Sequence, residues 1–343
     1  MRRVRIDEAG GYERLRIEET DDPRPGPGEV RVAVRAAGVN YADCIVRMGL
    51  YSSAKAYVGW PITPGFEVAG TVDALGEGVD DLELGARVIA VTRFGGYASA
   101  LVAPRRQVYP LPEGRSFEEG AALPAVFATA WYGLLELARP RPGQRILVHS
   151  AAGGVGSALC QLGRIAECEV TGVVGASHKV EAARALGCAH VIDKSREDLW
   201  GRAAQISPEG FDVVLDANGV STLRQSYQHL RRPGKLVVYG FASMLPRAGE
   251  RKSYVRLAVD WLRTPRFDPM AMTQDCKSVL AFNLSYLFDE AELFAEGMER
   301  LLTWWAEDRF TLPEITPYPL EEVAAAQRAL ETGATVGKLV LRV

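Results

Sequence analysis

Along residues 145–175 the spacing of apolar positions changes twice, and those changes outline the best-defined unit of the chain. Arg145-Ile-Leu-Val-His-Ser150 is a mostly apolar run of strand length, opened by the turn residues Pro142-Gly143. Val155, Leu159, Leu162 and Ala166 then recur at helical spacing, and Val170-Thr-Gly-Val-Val-Gly175 returns to a strand. Strand, glycine turn, helix and strand predict a βαβ unit with a right-handed crossover. Ala189-His-Val-Ile-Asp193, Phe211–Asp216 and Lys235-Leu-Val-Val-Tyr-Gly240 follow as further strands, each after a crossover, which extends the unit into a doubly wound parallel sheet.

The first 122 residues or so have another texture. Val30-Arg-Val-Ala-Val34, Glu67-Val-Ala-Gly-Thr-Val72 and Arg87-Val-Ile-Ala-Val91 are short runs broken by Gly and Pro clusters such as Pro23-Arg-Pro-Gly-Pro-Gly28. Many short strands with frequent turns predict a β-rich, partly closed barrel. Val279-Leu-Ala-Phe-Asn-Leu-Ser-Tyr-Leu287 reads as one more strand, and a helix over 320–331 with a strand at Lys338–Arg342 returns to the first texture. The expected division is a β-rich domain over 1–123, a nucleotide-binding domain over 124–287, and the rest of the first domain over 288–343.

Between the last two strands, Tyr254, Leu257, Ala258, Trp261 and Leu262 form a helical stripe flanked by Arg247, Arg251, Lys252, Arg256, Arg263 and Arg266. A basic amphipathic helix can rest on a membrane surface. Such stripes more often belong to a core or a subunit contact, and that is the expectation here.

Composition narrows the function classes. The 343 residues carry a formal charge of −3, which offers no global attraction to nucleic acid or an anionic membrane. The longest uncharged apolar stretch, 121–135, contains Pro124 and is shorter than the roughly 20 residues of a membrane span. The opening Met-Arg-Arg-Val-Arg-Ile-Asp-Glu lacks the pattern of a secretory signal. Five cysteines without a C-x-x-C pair suit a reduced, cytoplasmic compartment.

Candidate chemistry gathers at Ala151-Ala-Gly-Gly-Val-Gly156. Ala152, Gly153, Gly154 and Val155 would bring backbone N–H groups to a pyrophosphate at a helix start, and Gly156 would let that helix lie close to the sheet. An NAD site usually carries a carboxylate at the end of the second strand. Here that place reads Gly175-Ala-Ser-His-Lys179, and a Ser177 donor with a Lys179 charge suits the 2′-phosphate of NADPH.

Taken together, Gly38-Val-Asn-Tyr-Ala-Asp43, Pro64-Gly-Phe-Glu-Val-Ala-Gly70, Gly95-Gly-Tyr-Ala98, the glycine turn, Tyr239-Gly-Phe-Ala242 and Gly337-Lys338 resemble the medium-chain dehydrogenase/reductase superfamily over nearly the whole length. Within it the chain is similar to zeta-crystallin-type quinone oxidoreductases. Gly49-Leu-Tyr51, Phe282-Asn-Leu-Ser-Tyr-Leu287 and the long 243–277 segment are most similar to the synaptic-vesicle amine-transport-protein homologues of that group. The resemblance implies an α/β fold: a GroES-like β-rich catalytic domain and a Rossmann domain, with substrate in the cleft between them. Zinc relatives place ligands where this chain has Asn40 and Phe66, leaving Glu67 alone of a set that needs three, so no metal is expected. Asn40 and Asp43 would sit near the nicotinamide ribose and substrate. Thr129 would hold the carboxamide region, and Gly240, Phe241, Ala242, Asn283 and Leu284 would line the nicotinamide side. Asn218 lies at a strand's carboxyl end, Lys338 joins the cofactor residues, and Lys194 stands where several relatives place a Tyr against the adenosine phosphate. Tyr41 or Tyr51 could protonate an enolate, although aromatics in an apolar wall are more often only wall, and quinone reduction needs no such acid. The resulting expectation is a zinc-independent NADPH-dependent reductase of quinones or α,β-unsaturated carbonyls, acting as a homodimer. An enoyl-thioester reductase and a nucleotide-binding membrane or partner adaptor are the alternatives. The four histidines show no hydrolytic spacing.

Overall fold

In Glu29–Val39, the long strand of the first unit, Val30, Val32 and Val34 are buried in alternation before the burial becomes continuous from Ala36. One edge of this strand pairs antiparallel with Glu67–Leu75. The other is shared, its first half taken by Ala100–Pro104 and its second by the chain-end strand Lys338–Arg342. Arg87–Val91 and Val108–Pro110 extend the sheet beyond Glu67–Leu75, and Ile315–Pro319 lies beyond Lys338–Arg342. Alternating valines fill its interior together with Tyr97, Leu320 and Leu339.

The computed structural model describes residues 1–244 and 254–343. It divides into one unit of Met1–Val126 with Leu284–Val343 and another of Phe127–Asn283. The second is a six-stranded, wholly parallel sheet in the order His190–Asp193, Glu169–Val174, Arg145–His149, Phe211–Asp216, Leu230–Val238, Lys277–Ala281. The order reverses direction after Arg145–His149, the arrangement that collects ligands at the carboxyl ends of the strands. Leu147, Val173, Ile192, Phe211, Val214 and Leu236 make its core.

Two expectations need correction. The run 279–287 is not one strand: pairing ends at Ala281, and Leu284–Asp289 is a 3-10 helix of the first unit. Its apolar sequence carries no strand-specific period, and polar tethers turn it. Ser285 Oγ bonds Ser53 Oγ at 2.8 Å, Arg93 donates to the Ser285 carbonyl at 3.0 Å, and Tyr57 donates to Asp289 at 2.6 Å. Of the two roles expected for the stripe on helix Tyr254–Arg263, core or subunit contact, core is excluded, because among its described side chains Trp261 and Leu262 are exposed and Leu257 is half-buried. Arg247, Arg251 and Lys252, with the side chains of Tyr254 and Arg256, lie outside the described residues. Among the described residues no helix is long and apolar enough to cross a membrane.

Candidate nucleotide site and acceptor residues

The glycine turn follows Arg145–His149. Ser150 adopts a left-handed φ of 57°, and Gly153 caps the helix Gly154–Ile165. The first helical bond runs from Ser157 N to the Gly153 carbonyl, so the N–H groups of Gly154, Val155 and Gly156 precede the ladder and can meet an anion. A Cβ on Gly156 would collide with the Ser150 carbonyl. That glycine is what lets the helix start directly against the strand end. Ala152 is buried beneath the turn, so its side chain is a support and its backbone the group that could face a ligand.

Ser150 Oγ donates to Asn218 Oδ1 at 3.2 Å, which ties the turn to the loop after Phe211–Asp216. That loop is itself held: Asp216 Oδ1 accepts from the N–H groups of Asn218 at 2.8 Å and Gly219 at 3.2 Å, while Oδ2 takes the Ser226 hydroxyl at 2.8 Å. His149 Nε2 lies 3.0 Å from Ser226 Oγ. Since the Ser226 proton goes to Asp216, His149 donates to Ser226. Burial depresses the His149 pKa and keeps the ring neutral. Sequence spacing did not reveal this His–Ser–Asp cluster. It is fully buried and its serine hydroxyl is bound to the carboxylate, so it supports the loops and is not a nucleophile. Gly240 and Ala242 lie against Ala217, Ala242 N donating to its carbonyl at 3.0 Å, and Phe241 beside Gly219 is exposed. Thr129, on helix Pro124–Trp131, and Asn283 belong to this same unit, whereas Leu284 belongs to the other.

At the ends of Glu169–Val174 and His190–Asp193 the charges gather. Register pairs Asp193 with Val174, so Lys194 follows beside Gly175, its Cε 3.6 Å from where a Gly175 Cβ would lie. The Ser177 hydroxyl donates to Asp193 Oδ2 at 2.6 Å. Asp193 Oδ1 takes both the N–H and the hydroxyl of Ser195, and these bonds hold its carboxyl below the usual range. Ser177 Oγ instead accepts from Arg196 Nε at 3.2 Å. Arg196 is a member that sequence reading missed, and the run Asp193-Lys-Ser-Arg196 after an apolar strand was the available signal. Lys179 is half-buried, which lowers its pKa. Arg196 thus lies on Ser177, Lys194 beside Gly175, and Lys179 in the same short helix as Ser177; with the glycine cradle these cations fit a phosphorylated dinucleotide.

In the first unit, Asn40 caps helix Tyr41–Arg47. Asp43 lies in the first turn of that helix. It is fully buried, with Oδ2 accepting from Asn40 N and the Tyr97 hydroxyl and Oδ1 from Gly65 N, each at 2.8 Å. Burial pushes its carboxyl up to about 7, against those three donors. Lys338 is buried beside the same cap. It is 2% exposed, and its ammonium lies 2.5 Å from Asn40 Oδ1 and 2.6 Å from Glu67 Oε1. Tyr51 packs edge-on against Phe66 and Phe94, ring centroids 5.8 and 6.4 Å away. Burial raises the Tyr41 pKa to about 12 and makes it a weaker acid.

One family model, alcohol dehydrogenase GroES-like domain, matches residues 26–113, and another, zinc-binding dehydrogenase, matches residues 186–341. The chain is 36% identical over 335 residues to the human synaptic vesicle membrane protein VAT-1 homolog, covering 97% of this chain and 84% of that one. Among solved structures it resembles Escherichia coli quinone oxidoreductase complexed with NADPH, with TM-score 0.87, 27% identity and full coverage of both chains. It also resembles CurK enoyl reductase, with TM-score 0.84, 28% identity, and 99% and 98% coverage. The zinc in one family description does not fit the residues here. Glu67 spends Oε1 on Lys338 and Asn40 and Oε2 on Ala125 N, and no group of three metal-holding side chains stands together among the described residues.

Proposed function

Because the chain belongs to the medium-chain dehydrogenase/reductase superfamily, among its quinone-oxidoreductase-like members, we propose that it is a zinc-independent reductase carrying hydride from NADPH to quinones or α,β-unsaturated carbonyl compounds. The observation that supports this reading is that Arg196 bonds Ser177 and Lys194 lies beside Gly175, with Lys179 two residues beyond Ser177 in the same short helix, one strand away from the glycine turn. Three cations at that place suit the 2′-phosphate that distinguishes NADPH from NADH. The likeness to a quinone oxidoreductase complexed with NADPH supports the same choice.

The turn at Gly153, Gly154 and Val155 would hold the pyrophosphate, and Asn218 with Gly240 to Ala242 would lie toward the nicotinamide half. When bound, the cofactor supplies hydride; the protein orients the acceptor and excludes water. Asn40 and Tyr51 are the first-unit residues that would meet the acceptor. Quinones and enones accept hydride without a Lewis acid because their own carbonyl polarises the receiving carbon, which accords with the occupied Glu67 carboxylate. The likeness to CurK enoyl reductase favours an enoyl thioester as the second substrate class to test.

The test is steady-state cofactor oxidation with 1,2-naphthoquinone, a simple enone and an enoyl thioester, each with NADPH and with NADH. Turnover with NADPH well above NADH supports the reading, and the acceptor ranking sets the substrate class. Absence of turnover in protein that still binds NADPH would overturn it in favour of a nucleotide-binding adaptor.

A further inference from the structure

Cys160 and Cys188 stand 28 residues apart in the chain, yet their sulfurs meet at 3.3 Å inside the parallel-sheet unit. Cys160 is fully buried on helix Gly154–Ile165, the helix that starts at the glycine turn. Cys188 follows Gly187, whose φ is 97°, after helix Val180–Ala185, and it leads into His190–Asp193. Gly172, in strand Glu169–Val174, leaves the room for it. A Cβ on Gly172 would stand 2.7 Å from Cys188 Sγ and 2.8 Å from the Ala151 Cβ. The thiol pair and the glycine turn thus rest on one strand position.

The hydrogen bonds run as a chain from one thiol to the turn. Cys188 donates to Cys160 Sγ, and Cys160 donates across 4.0 Å to the carbonyl of Ala151. The neighbouring thiol, with burial, raises the Cys160 pKa and keeps that sulfur protonated. Cys188 is 8% exposed where Cys160 is fully buried, so it is the sulfur an oxidant reaches first. Disulfide sulfurs lie about 2.05 Å apart, so closure asks for about 1.3 Å of movement shared by two side chains.

We propose that Cys160 and Cys188 are a redox modification site: a hydroperoxide oxidises Cys188, Cys160 closes the disulfide, and the closed form holds nucleotides less tightly. The effect on binding rests on the nucleotide site described above; the cross-link itself does not. In the first step the Cys188 sulfur takes one oxygen from the hydroperoxide as the O–O bond breaks, giving a sulfenic acid and an alcohol, or water from hydrogen peroxide. In the second the Cys160 sulfur attacks the Cys188 sulfur. The S–S bond forms as the S–O bond breaks, and the Cys160 proton leaves with the hydroxyl as water. The two thiols lose two electrons together, and the peroxide gains them. Closure removes the S–H that Ala151 accepts and ties the helix after the turn to the start of the next strand. The turn serves the pyrophosphate, which NADPH and NADH share, so both affinities fall together and their ratio holds. A small thiol reverses the change by exchange.

The test treats folded wild-type protein with hydrogen peroxide and maps its tryptic peptides without reduction. Cys160 falls in peptide 146–164, Cys168 in 165–179 and Cys188 in 185–194, so the three are told apart. The expected product is 146–164 joined to 185–194 with the loss of two hydrogens, split again by dithiothreitol. In Cys160→Ser, dimedone should trap the sulfenic acid on Cys188, and in Cys188→Ser it should leave Cys160 unlabelled. Fluorescence titration of the oxidised wild type should show the NADPH and NADH dissociation constants both raised about threefold to tenfold, the worth of one hydrogen bond. Dithiothreitol should restore them, and both Ser variants should keep their affinities through peroxide treatment. The wild-type cross-link is read without either variant, should one of them fail to fold. Oxygen added to these sulfurs without a cross-link, a link to Cys168 instead, dimedone on Cys160, or a link that leaves both affinities unchanged would each overturn the inference. Reduced protein that binds neither nucleotide would overturn the nucleotide reading beneath it, with the cross-link still read from the peptides.

Discussion

Arg196 and Lys179 offer the cleanest single-residue tests, because each presents charge at a strand end without filling the core. Arg196 is steered by Ser177, which is in turn fixed by Asp193, so the exposed guanidinium is held toward the subsite. Removing either charge should raise the NADPH dissociation constant about tenfold, the effect of one charge-assisted hydrogen bond in a partly wet site, and leave NADH binding nearly unchanged. Fluorescence titration of Arg196→Ala and Lys179→Ala with both nucleotides checks this. Asp43 makes a different prediction. Its carboxyl is raised from 3.8 to about 7 by burial, so the folded chain holds this proton more tightly than the unfolded one. The Asp43 contribution to stability is therefore fully present below about pH 4, falls as pH rises, and is lost by about pH 7. Asp43→Asn should remove that slope from the plot of Tm against pH while lowering Tm overall. An unchanged slope would mean the carboxylate stays ionised in the fold.

At the scale of elements, the glycine turn is both the most legible part of the sequence and the most constrained part of the structure. Strand, turn and helix differ in period, and each was readable from its neighbours in sequence. Gly156→Ala would push a methyl into the Ser150 carbonyl and should cost about 1–3 kcal/mol of stability, as overpacking generally does. It should also weaken NADPH binding, measurable by thermal shift with and without the nucleotide. What sequence could not show is the partnering of residues far apart in the chain. Ser177 and Asp193 meet because the parallel register sets Asp193 beside Val174, and the serine that looked like a phosphate donor is spent on a carboxylate one strand away. Lys338 likewise meets Asn40 and Glu67, which lie at the other end of the chain. Local patterns carry secondary structure and glycine chemistry; hydrogen-bond ownership is decided by tertiary register. The run 279–287 marks the same limit, since its apolar sequence suits a strand and a partly buried 3-10 turn equally.

At the scale of the whole molecule, the parallel sheet ends at Lys277–Ala281, a strand that among the described residues pairs only with Leu230–Val238. An unpaired edge is a template for another strand, and pairing of two copies there is the basis for the homodimer we propose. Ser278 and Ala281 are exposed on it. The double variant Ser278→Lys/Ala281→Lys should be monomeric in sedimentation while the parent is dimeric; a parent that is itself monomeric would contradict the proposal. The account as a whole rests on direct hydride delivery to an electrophilic carbon, and isotope transfer tests that most directly. NADPH deuterated at the transferable C4 position would be turned over with an enone and the product analysed by mass spectrometry. The account predicts one deuterium, bound at the former β-carbon. A reduced product without deuterium from either C4-labelled face, or cofactor binding with no product at all, would contradict it.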